Sequence, residues 1–519
     1  MDQSAALAGL RYLVPELSLL GVAAAAMFTH LFARKTGRRL AGFVSLAGFL
    51  AVTALLVLSP RTAGEIYSGT LAADGFALFF KLSFLVSAVL AIILSFRFFD
   101  VEGFEPGEIY YLMPLAVIGM MAAVSSTDLI ATYVSFELFA IPSYILAGIF
   151  KKDRRAGEAG IKYFFLGSLS SGIMLLGMAL VFGLAGETNY AAIADHLAGG
   201  GSPIALAGMI LFFAGLFFKA ALVPFHMWAP DVYEGAPTPL VVFLSTAPKA
   251  AVIAILVRAM VVLFRSYEVQ WTLILQFTAI ITMFWGNIAA LIQKNIKRMM
   301  AYSSVAHAGY IAIGLAAWSE PARWAVLFYV LVYVIMNAAA FGMVLLVRKG
   351  GTFGETVDDF RGLAGKSPLA AASLLVVLLS LTGIPPTAGF MGKYFLFAAA
   401  VGKGMVLLAV AGAVNSVISL FYYFRIGRAI FFEDDPAGVP LDRSLNPRLV
   451  LAFAALALLV FGVLPSLLGQ FAIASVLGQG RRVRRRHPSS PPKLWGRGAG
   501  HSDFFQGTVA RRTHSAVSE

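Results

Sequence analysis

Residues 204–222 read IALAGMILFFAGLFFKAAL, a stretch of nineteen residues in which Lys219 is the only charge. As a helix it would be about 28 Å long at 1.5 Å per residue, close to the hydrocarbon thickness of a bilayer. The whole chain has this character, because 59% of its 519 residues are hydrophobic and 13% are charged. Soluble domains are about 45–50% apolar and about 25% charged. The composition therefore excludes a soluble globular protein.

Runs of about 20 apolar residues recur along the chain and predict transmembrane helices. The fourteen predicted spans are 16–33, 40–59, 74–99, 110–124, 127–149, 160–184, 204–222, 238–262, 271–292, 303–316, 323–348, 369–397, 402–431 and 448–470. The first span follows a nearly uncharged N-terminus and has no small-residue cleavage site, so no removable signal peptide is expected. We expect an all-α polytopic membrane protein.

The chain has no cysteine. This excludes disulfides, thiolate nucleophiles and Cys-ligated iron–sulfur or zinc sites. There is no GxGxxG motif after a strand and no Walker A loop, and the seven histidines lack the spacing of metal ligands. No cofactor or metal site is expected in this chain, so any redox chemistry must take place in partner proteins.

The basic residues predict how the chain is oriented in the membrane. Of the 40 Lys and Arg residues, 20 lie in loops that follow odd-numbered spans, whereas the N-terminus and the loops after even-numbered spans hold 5. Cytoplasmic loops are enriched in Lys and Arg. Both termini are therefore predicted on the periplasmic side.

The segment 479–519 has a different composition. Its residues 481–519 carry nine basic and two acidic side chains and are rich in Pro, Gly and Ser, which is typical of a disordered extension. On the predicted topology it lies on the side away from the cytoplasm, against the positive-inside rule. It is interpreted as an unstructured appendage, such as the product of a shifted reading frame, or as a lipid-binding segment. Aromatic residues are not interleaved with its arginines, so no nucleic-acid partner is expected.

A charged side chain at the bilayer centre costs about 2.5–3.5 kcal/mol. Six basic residues fall inside the predicted spans, namely Lys81, Lys162, Lys219, Lys249, Arg258 and Lys393. Lys249 is eleven residues from one end of its span and thirteen from the other. That is roughly 16 Å or more from either interface, beyond the reach of a lysine. Glu137, in ATYVSFELFAIPSY, is also near mid-span and has a shorter side chain. Both residues are predicted to be functional.

The remaining intramembrane cations differ in position. Lys219 and Lys393 lie beside predicted helix breaks and are also interpreted as functional. Lys81 and Arg258 lie nearer to span ends, where the aliphatic stem stays in lipid and the charge reaches the headgroups, so both are expected to snorkel. For Lys162, snorkelling and a functional site both stay open.

Prolines interrupt two of the spans. Pro224 follows Lys219 in the seventh span, and Pro385 and Pro386 precede Lys393 in the twelfth. Proline removes a backbone donor and clashes with the preceding turn, so both helices are predicted to be broken. The breaks lie five spans apart, so spans 4–8 and 9–13 align as two five-helix units of opposite orientation, as in inverted-repeat transporters.

This alignment predicts the organisation of the chain. The predicted segments are an N-terminal three-helix segment (1–109), a first repeat (110–262), a second repeat (271–431), a last helix (448–470) and the basic tail (479–519). Glu137 falls on the second helix of the first unit and His307 on the second helix of the second unit. Both units therefore carry a titratable group at the same position.

Three strings carry a family resemblance: FKAALVPFHMWAPDVYEGAPTP (218–239), KRMMAYSSVAHAGYI (297–311) and LTGIPPTAGFMGKYFLF (381–397). They resemble the antiporter-like N subunits of bacterial proton-pumping NADH:quinone oxidoreductase, respiratory complex I, and the resemblance covers about residues 10–475. The related L and M subunits usually carry histidine where this chain has Lys249, and M has glutamate where it has Lys393. The long C-terminal lateral helix of the L subunit is not seen in this sequence. The N subunit is therefore favoured.

The resemblance also implies roles for residues. In this family a glutamate on the fifth helix pairs with a lysine on the broken seventh, and a proton relay continues through the eighth helix to the broken twelfth. These positions match Glu137, Lys219, Lys249 and Lys393, with Lys162 and His307 at further polar positions. An intramembrane lysine tends to lose its proton unless an anion is near, so a movable carboxylate would switch its proton affinity.

The family implies the setting of the chain. It would be one subunit of a translocase (EC 7.1.1.-) in the bacterial inner membrane, in contact with lipid, with the L and M subunits and with small helical subunits. NADH, FMN, iron–sulfur clusters and quinone would bind to partner subunits. Two alternatives stay open: a subunit of a cation/proton antiporter or of a related membrane-bound hydrogenase or dehydrogenase complex, and a purely structural spacer.

Overall fold

The computed structural model describes residues 9–58, 64–104, 106–349, 351–435, 438 and 440–468. Among these residues, twelve helices are long and apolar enough to cross a membrane. Three further apolar helices are shorter and cover Ile109–Ser125, Pro368–Thr382 and Ala388–Gly402. The expected all-α polytopic class is confirmed.

The helices are labelled here in chain order. The first half of the chain contains α1 (Val14–Phe32), α2 (Arg34–Leu58), α3 (Gly75–Glu102), α4 (Ile109–Ser125), α5 (Leu129–Ala147), α6 (Arg154–Ala185), α7 (Tyr190–His196), α8 (Pro203–Ala220), α9 (Trp228–Gly235) and α10 (Thr238–Arg258). The second half contains α11 (Glu268–Leu291), α12 (Ile296–Ala316), α13 (Glu320–Gly342), α14 (Leu363–Lys366), α15 (Pro368–Thr382), α16 (Ala388–Gly402), α17 (Val406–Phe432) and α18 (Leu445–Val463).

The strands of the described residues form two small antiparallel pairs in connections between helices. β1 (Gly64–Ile66) pairs with β2 (Leu71–Ala73), and β3 (Arg348–Lys349) pairs with β4 (Thr352–Phe353). In the first pair Ile66 lies opposite Leu71. These strands close loops, and the core of the molecule is helical.

Polar side chains define where several helices begin. Asp74, Asp128 and Asn295 accept hydrogen bonds from first-turn backbone N–H groups of α3, α5 and α12. The first turn of a helix leaves its N–H groups without intrahelical partners, so such caps stabilise the start. Each cap also places a polar residue at the end of an apolar run.

The helices divide into an inner and an outer set. Every residue of α10 is buried, and α12 and α13 are buried along most of their length. The outer helices expose large apolar side chains, for example Leu31 on α1, Phe165 on α6 and Phe421 on α17. Such faces suit contact with lipid. Polar side chains on the inner helices are therefore enclosed by protein.

Both predicted helix breaks are confirmed. Helix α8 ends at Ala220, and helical structure resumes with α9 at Trp228. Helix α15 ends at Thr382, where Gly383 adopts a φ of +89° that an L side chain rarely tolerates, and α16 begins at Ala388. Non-helical backbone therefore lies between apolar helices in two places, where it must find partners within the protein.

The helix count differs from the predicted number of spans for two reasons. The predicted fourth span is α4, which has only 17 residues, and the predicted twelfth span is the pair α15 and α16. The number of membrane crossings, the inverted relation of the two units and the segment boundaries stay predictions. The predicted basic tail, 479–519, lies outside the described residues.

Candidate functional site

Lys219 lies in the last turn of α8, directly before the first break. Its side chain belongs to a residue that is 1% exposed, and among the described residues its Nζ atom has no hydrogen-bond partner. The Nζ atom lies 4.2 Å from the centre of the Tyr144 ring and 4.4 Å from that of Tyr163. Aromatic faces attract a cation, but they do not accept its protons as an oxygen would.

Glu137 on α5 is the carboxylate associated with this lysine. Its Oε1 atom is buried and has no hydrogen-bond partner in the described part of the chain. Glu137 is near enough to act electrostatically on Lys219, but the Lys219 Nζ atom does not donate a hydrogen bond to it. The structure therefore brings the predicted pair to one site without joining the two charges.

Aromatic rings connect Lys219 to the next lysine. Tyr163 stacks on Trp228 of α9 at a centroid distance of 4.4 Å, and Trp228 contacts Tyr233 edge to face at 5.6 Å. The Tyr233 ring centre then lies 5.9 Å from Nζ of Lys249. The short helix α9 thus contributes rings to the surroundings of both lysines.

Lys249 lies in the fully buried helix α10 and is 2% exposed. Its Nζ atom donates hydrogen bonds to Oγ of Ser304 at 2.8 Å and to the Ser304 backbone carbonyl at 3.0 Å. A cavity of about 10 Å³ lies beside it, between Ala220 and Tyr333. That is about the space one water needs. Lys249 is therefore held by the two Ser304 oxygens next to a small cavity whose lining, apart from Lys249 and Tyr333, is apolar.

His307 lies one turn after Ser304 on α12 and is 1% exposed. Its Nδ1 atom is 2.7 Å from the Tyr329 hydroxyl and its Nε2 atom is 3.3 Å from the Tyr423 hydroxyl. Both ring nitrogens thus have hydroxyl partners, which can donate or accept according to the tautomer. The ring centre of Tyr310 lies 5.7 Å from the imidazole and connects it to the second break.

Lys393 lies on α16, just after the second break. Its Nζ atom donates to the backbone carbonyls of Leu381 at 3.1 Å and Thr382 at 2.8 Å, and lies 4.3 Å from the Tyr310 ring centre. These carbonyls belong to the last turn of α15, where no intrahelical donor is available and the helix dipole is negative. The Lys393 ammonium group on α16 therefore supplies hydrogen bonds to the C-terminal carbonyls of α15.

Five titratable groups on α5, α8, α10, α12 and α16 are thus connected by hydroxyls and rings. They are Glu137, Lys219, Lys249, His307 and Lys393. Each group can hold or release a proton, and the four groups other than Glu137 are at most 3% exposed. Such groups titrate as a coupled set. The arrangement can store protons and pass them along the interior.

A family model described as NADH:quinone oxidoreductase/Mrp antiporter, TM, matches residues 126–419, more than half of the chain. The chain belongs to this antiporter family. NADH-quinone oxidoreductase subunit N of Trichlorobacter lovleyi is 39% identical to this chain over 471 residues. The match covers 90% of this chain and 97% of the relative. The expected resemblance to the N subunits is confirmed.

Solved structures agree with this membership. A chain of respiratory complex I from Thermus thermophilus with bound aureothin has a TM-score of 0.76 and 32% identity, covering 89% of this chain and 100% of that one. A chain of the membrane-bound sulfane sulfur reductase, an archaeal respiratory membrane complex, has a TM-score of 0.78 and 27% identity, covering 92% and 97%. The antiporter family fold therefore extends over nearly all of the described residues.

Lys162 has a different environment from the other predicted site residues. Its side chain is 40% exposed and pairs with Glu158 at 2.7 Å and with Asp231 at 2.8 Å. Lys162 therefore lies near the protein surface. It is outside the buried row, the name used here for Glu137, Lys219, Lys249, His307 and Lys393.

The expectation that Lys81 and Arg258 snorkel is wrong. They are 1% and 3% exposed, and they pair with Glu16 at 2.7 Å and with Asp74 at 2.8 Å. Both partners are more than 60 residues away in sequence, on other helices or at their caps. A position near the end of a span therefore did not reveal that these charges are enclosed and neutralised.

The residues that connect the charges were not predicted from the sequence. They are Tyr144, Tyr163, Trp228, Tyr233, Ser304, Tyr310, Tyr329 and Tyr423. The chain has 17 tyrosines, and nothing in their spacing separates these from the rest. Their common property is burial against a titratable group, which only the packing reveals.

Proposed function

We propose that this chain is the antiporter-like N subunit of a bacterial NADH:quinone oxidoreductase and that it moves protons through the buried row of titratable groups. The observation that carries the proposal is the Lys219 ammonium group, enclosed beside Glu137 without a hydrogen-bond partner among the described residues. A buried charge without a fixed partner is expensive, and such groups inside membrane proteins are typically functional. Membership of the antiporter family also supports a role in proton transfer.

The proposed sequence of steps begins at the first break. When Glu137 approaches Lys219, the carboxylate stabilises the protonated amine; when the two separate, the amine releases its proton. Lys249 receives it next to its small cavity, and His307 and Lys393 pass it towards the far side through hydroxyls and ordered water. Lys162 contributes at the edge of this path.

The energy for these steps comes from other subunits. NADH, FMN, iron–sulfur clusters and quinone bind there, and NADH oxidation and quinone reduction drive the changes in charge that this chain responds to. L, M and small helical subunits surround it in the membrane. The catalysed reaction is that of a translocase (EC 7.1.1.-), in which this chain supplies proton transfer and no redox site.

Two variants test the proposed function. In the intact complex reconstituted into vesicles, Glu137→Gln removes the switching anion and should slow proton uptake driven by NADH oxidation. Lys219→Ala should impair it at least as strongly. Exposed Glu268→Gln and Lys403→Ala are matched controls, since these side chains are 59% and 40% exposed. Parental uptake by both test variants, normalised to assembled complex, would contradict the proposal and support a structural spacer.

The orientation in the inner membrane has its own test. With the termini on the periplasmic side, single cysteines replacing Arg38 and Arg154 should be shielded from a membrane-impermeant thiol reagent in right-side-out vesicles. A cysteine replacing Glu187 should react. All three positions are exposed, and the natural chain has no cysteine, so labels on the isolated chain report only these sites. Reaction at the first two positions would reverse the topology.

A further inference from the structure

The short helix α9 has an inner face that lies between two lysines of the proposed relay. Trp228 stacks on Tyr163 beside Lys219, and its Nε1 atom donates to the Phe218 carbonyl at 2.8 Å. Tyr233, less than two turns later, lies beside Lys249. The position of α9 therefore determines where aromatic rings pack around both lysines.

The other face of α9 carries a cluster of charges, the Asp231 cluster, consisting of Glu158, Lys162, Asp231, Glu234 and Arg298. Asp231 accepts from Lys162 of α6 at 2.8 Å and from Arg298 of α12 at 2.9 Å. Arg298 also donates to Glu234 at 2.8 Å. Side chains of the four residues other than Glu158 are 30–40% exposed, and Glu158 is 60% exposed. One carboxylate thus joins helices of both halves of the chain.

An eight-residue helix has little stability of its own, so contacts decide where it lies. Half-exposed ion pairs contribute little to stability. The bonds from Lys162 and Arg298 to the Asp231 carboxylate nevertheless restrict α9 to one place between α6 and α12. The Asp231 cluster is therefore better suited to fixing a position than to strengthening the fold.

We propose that Asp231 is a positioning residue for proton transfer. It holds α9 in the place where Trp228 packs beside the Lys219 site and Tyr233 packs beside Lys249. Lys162 acts through Asp231, as its cationic partner, and does not itself carry a proton. This inference rests on the proposed function and assigns to Lys162 a role that differs from the relay position implied by the family resemblance.

The first test compares isosteric and conservative changes in the reconstituted complex. Asp231→Asn loses the charge that holds both cations and should slow proton uptake by up to about 100-fold, the loss that a misplacement of about 1 Å can cause. Asp231→Glu keeps the charge and should restore most of the rate. Asp195→Asn, which breaks the exposed Arg265–Asp195 pair, is the matched control and should pump normally. If Asp231→Asn pumps at the parental rate, or Asp231→Glu is equally impaired, the positioning role is wrong.

The second test separates positioning from proton carriage. A guanidinium can pair with Asp231 but does not release its proton at cellular pH. Lys162→Arg should therefore pump nearly as the parent does, whereas Lys249→Arg should pump poorly. Equal loss in both variants would make Lys162 a carrier and overturn the inference.

A double variant supplies the third readout. If Lys162 acts through Asp231, Lys162→Gln should add no further loss in the Asp231→Asn background, because coupled residues are not additive. If the loss of rate in the double variant is the product of the losses in the two single variants, the inference is contradicted. Should Asp231→Asn fail to assemble, Lys162→Gln and Arg298→Gln each leave Asp231 one cation and should each reduce the rate. Unchanged pumping in both would then overturn the proposal.

Lys219→Ala distinguishes failure of this inference from failure of the proposed function. Parental pumping by Lys219→Ala would reject proton transfer through the row itself. Loss of pumping in Lys219→Ala together with parental rates in the Asp231 variants would reject only the positioning role.

Discussion

The two helix breaks contain the same elements, yet they satisfy their polar groups in opposite ways. At the first break the lysine precedes the interruption, and the Phe218 carbonyl in the last turn accepts from both the Ala221 backbone N–H and the Trp228 indole. Val223 donates its N–H to the Thr282 hydroxyl at 3.0 Å. Neighbouring side chains and backbone N–H groups thus satisfy the backbone, and Lys219 takes no part.

At the second break the lysine follows the interruption and itself satisfies the backbone. Lys393 donates to two carbonyls of α15, and Gly389 donates its N–H to Oγ of Ser380 at 3.0 Å. The two half-helices therefore depend on one ammonium group and on very close approach. A lysine beside a break can be structural, functional or both, and its hydrogen bonds distinguish these cases.

The largest expected effect concerns the close approach at the second break. A Cβ atom on Gly389 would lie 1.8 Å from the Ser380 carbonyl oxygen, so Gly389→Ala must push the half-helices apart. We expect a loss of about 3 kcal/mol, at the upper end of what overpacking costs. Gly172→Ala in α6, where a Cβ meets nothing within 4 Å, is the control. The midpoint of thermal aggregation of this subunit in the purified complex is the measurement; equal midpoints would show that the second break is not tightly packed.

The next prediction contrasts the two lysines directly. Lys393→Ala should lower the same thermal midpoint, because two buried carbonyls lose their donor, at a cost of about 2 kcal/mol. Lys219→Ala should leave the midpoint unchanged or raise it, because it removes a buried group without a hydrogen-bond partner in the described residues. Both variants should pump poorly. Equal destabilisation by the two substitutions would remove the difference between the breaks.

The smallest effect is expected at the first break. Trp228→Phe keeps an aromatic ring against Tyr163 but removes one of the two donors to the Phe218 carbonyl, which should cost about 1 kcal/mol because the Ala221 N–H remains. Trp285→Phe is a suitable control, since Trp285 is 54% exposed on α11. A shift in thermal midpoint for Trp228→Phe alone would sharpen the comparison. No shift would indicate that the Ala221 N–H alone satisfies the carbonyl.

Much of this architecture was predictable, because its causes are local. Apolar runs predicted the helices, and the prolines after Lys219 and before Lys393 predicted both breaks. Lys249 was recognisable as enclosed because its distance from both span ends exceeds the length of its side chain. The short length of α4 (Ile109–Ser125) was also predictable, because the apolar run of the predicted fourth span, 110–124, is itself short.

The sequence by itself therefore determined the membrane class, the places where helices break and the identities of the charges that cannot leave the interior. Each of these follows from composition, backbone chemistry or side-chain length within one segment. Only the tertiary structure decided the partner of each charge: Glu16 for Lys81, aromatic rings for Lys219 and carbonyl groups for Lys393. These contacts join atoms on different helices or across a break, and they depend on how the helices pack and rotate. A hydrogen bond forms only within about 3 Å, and no pattern along one chain specifies that distance.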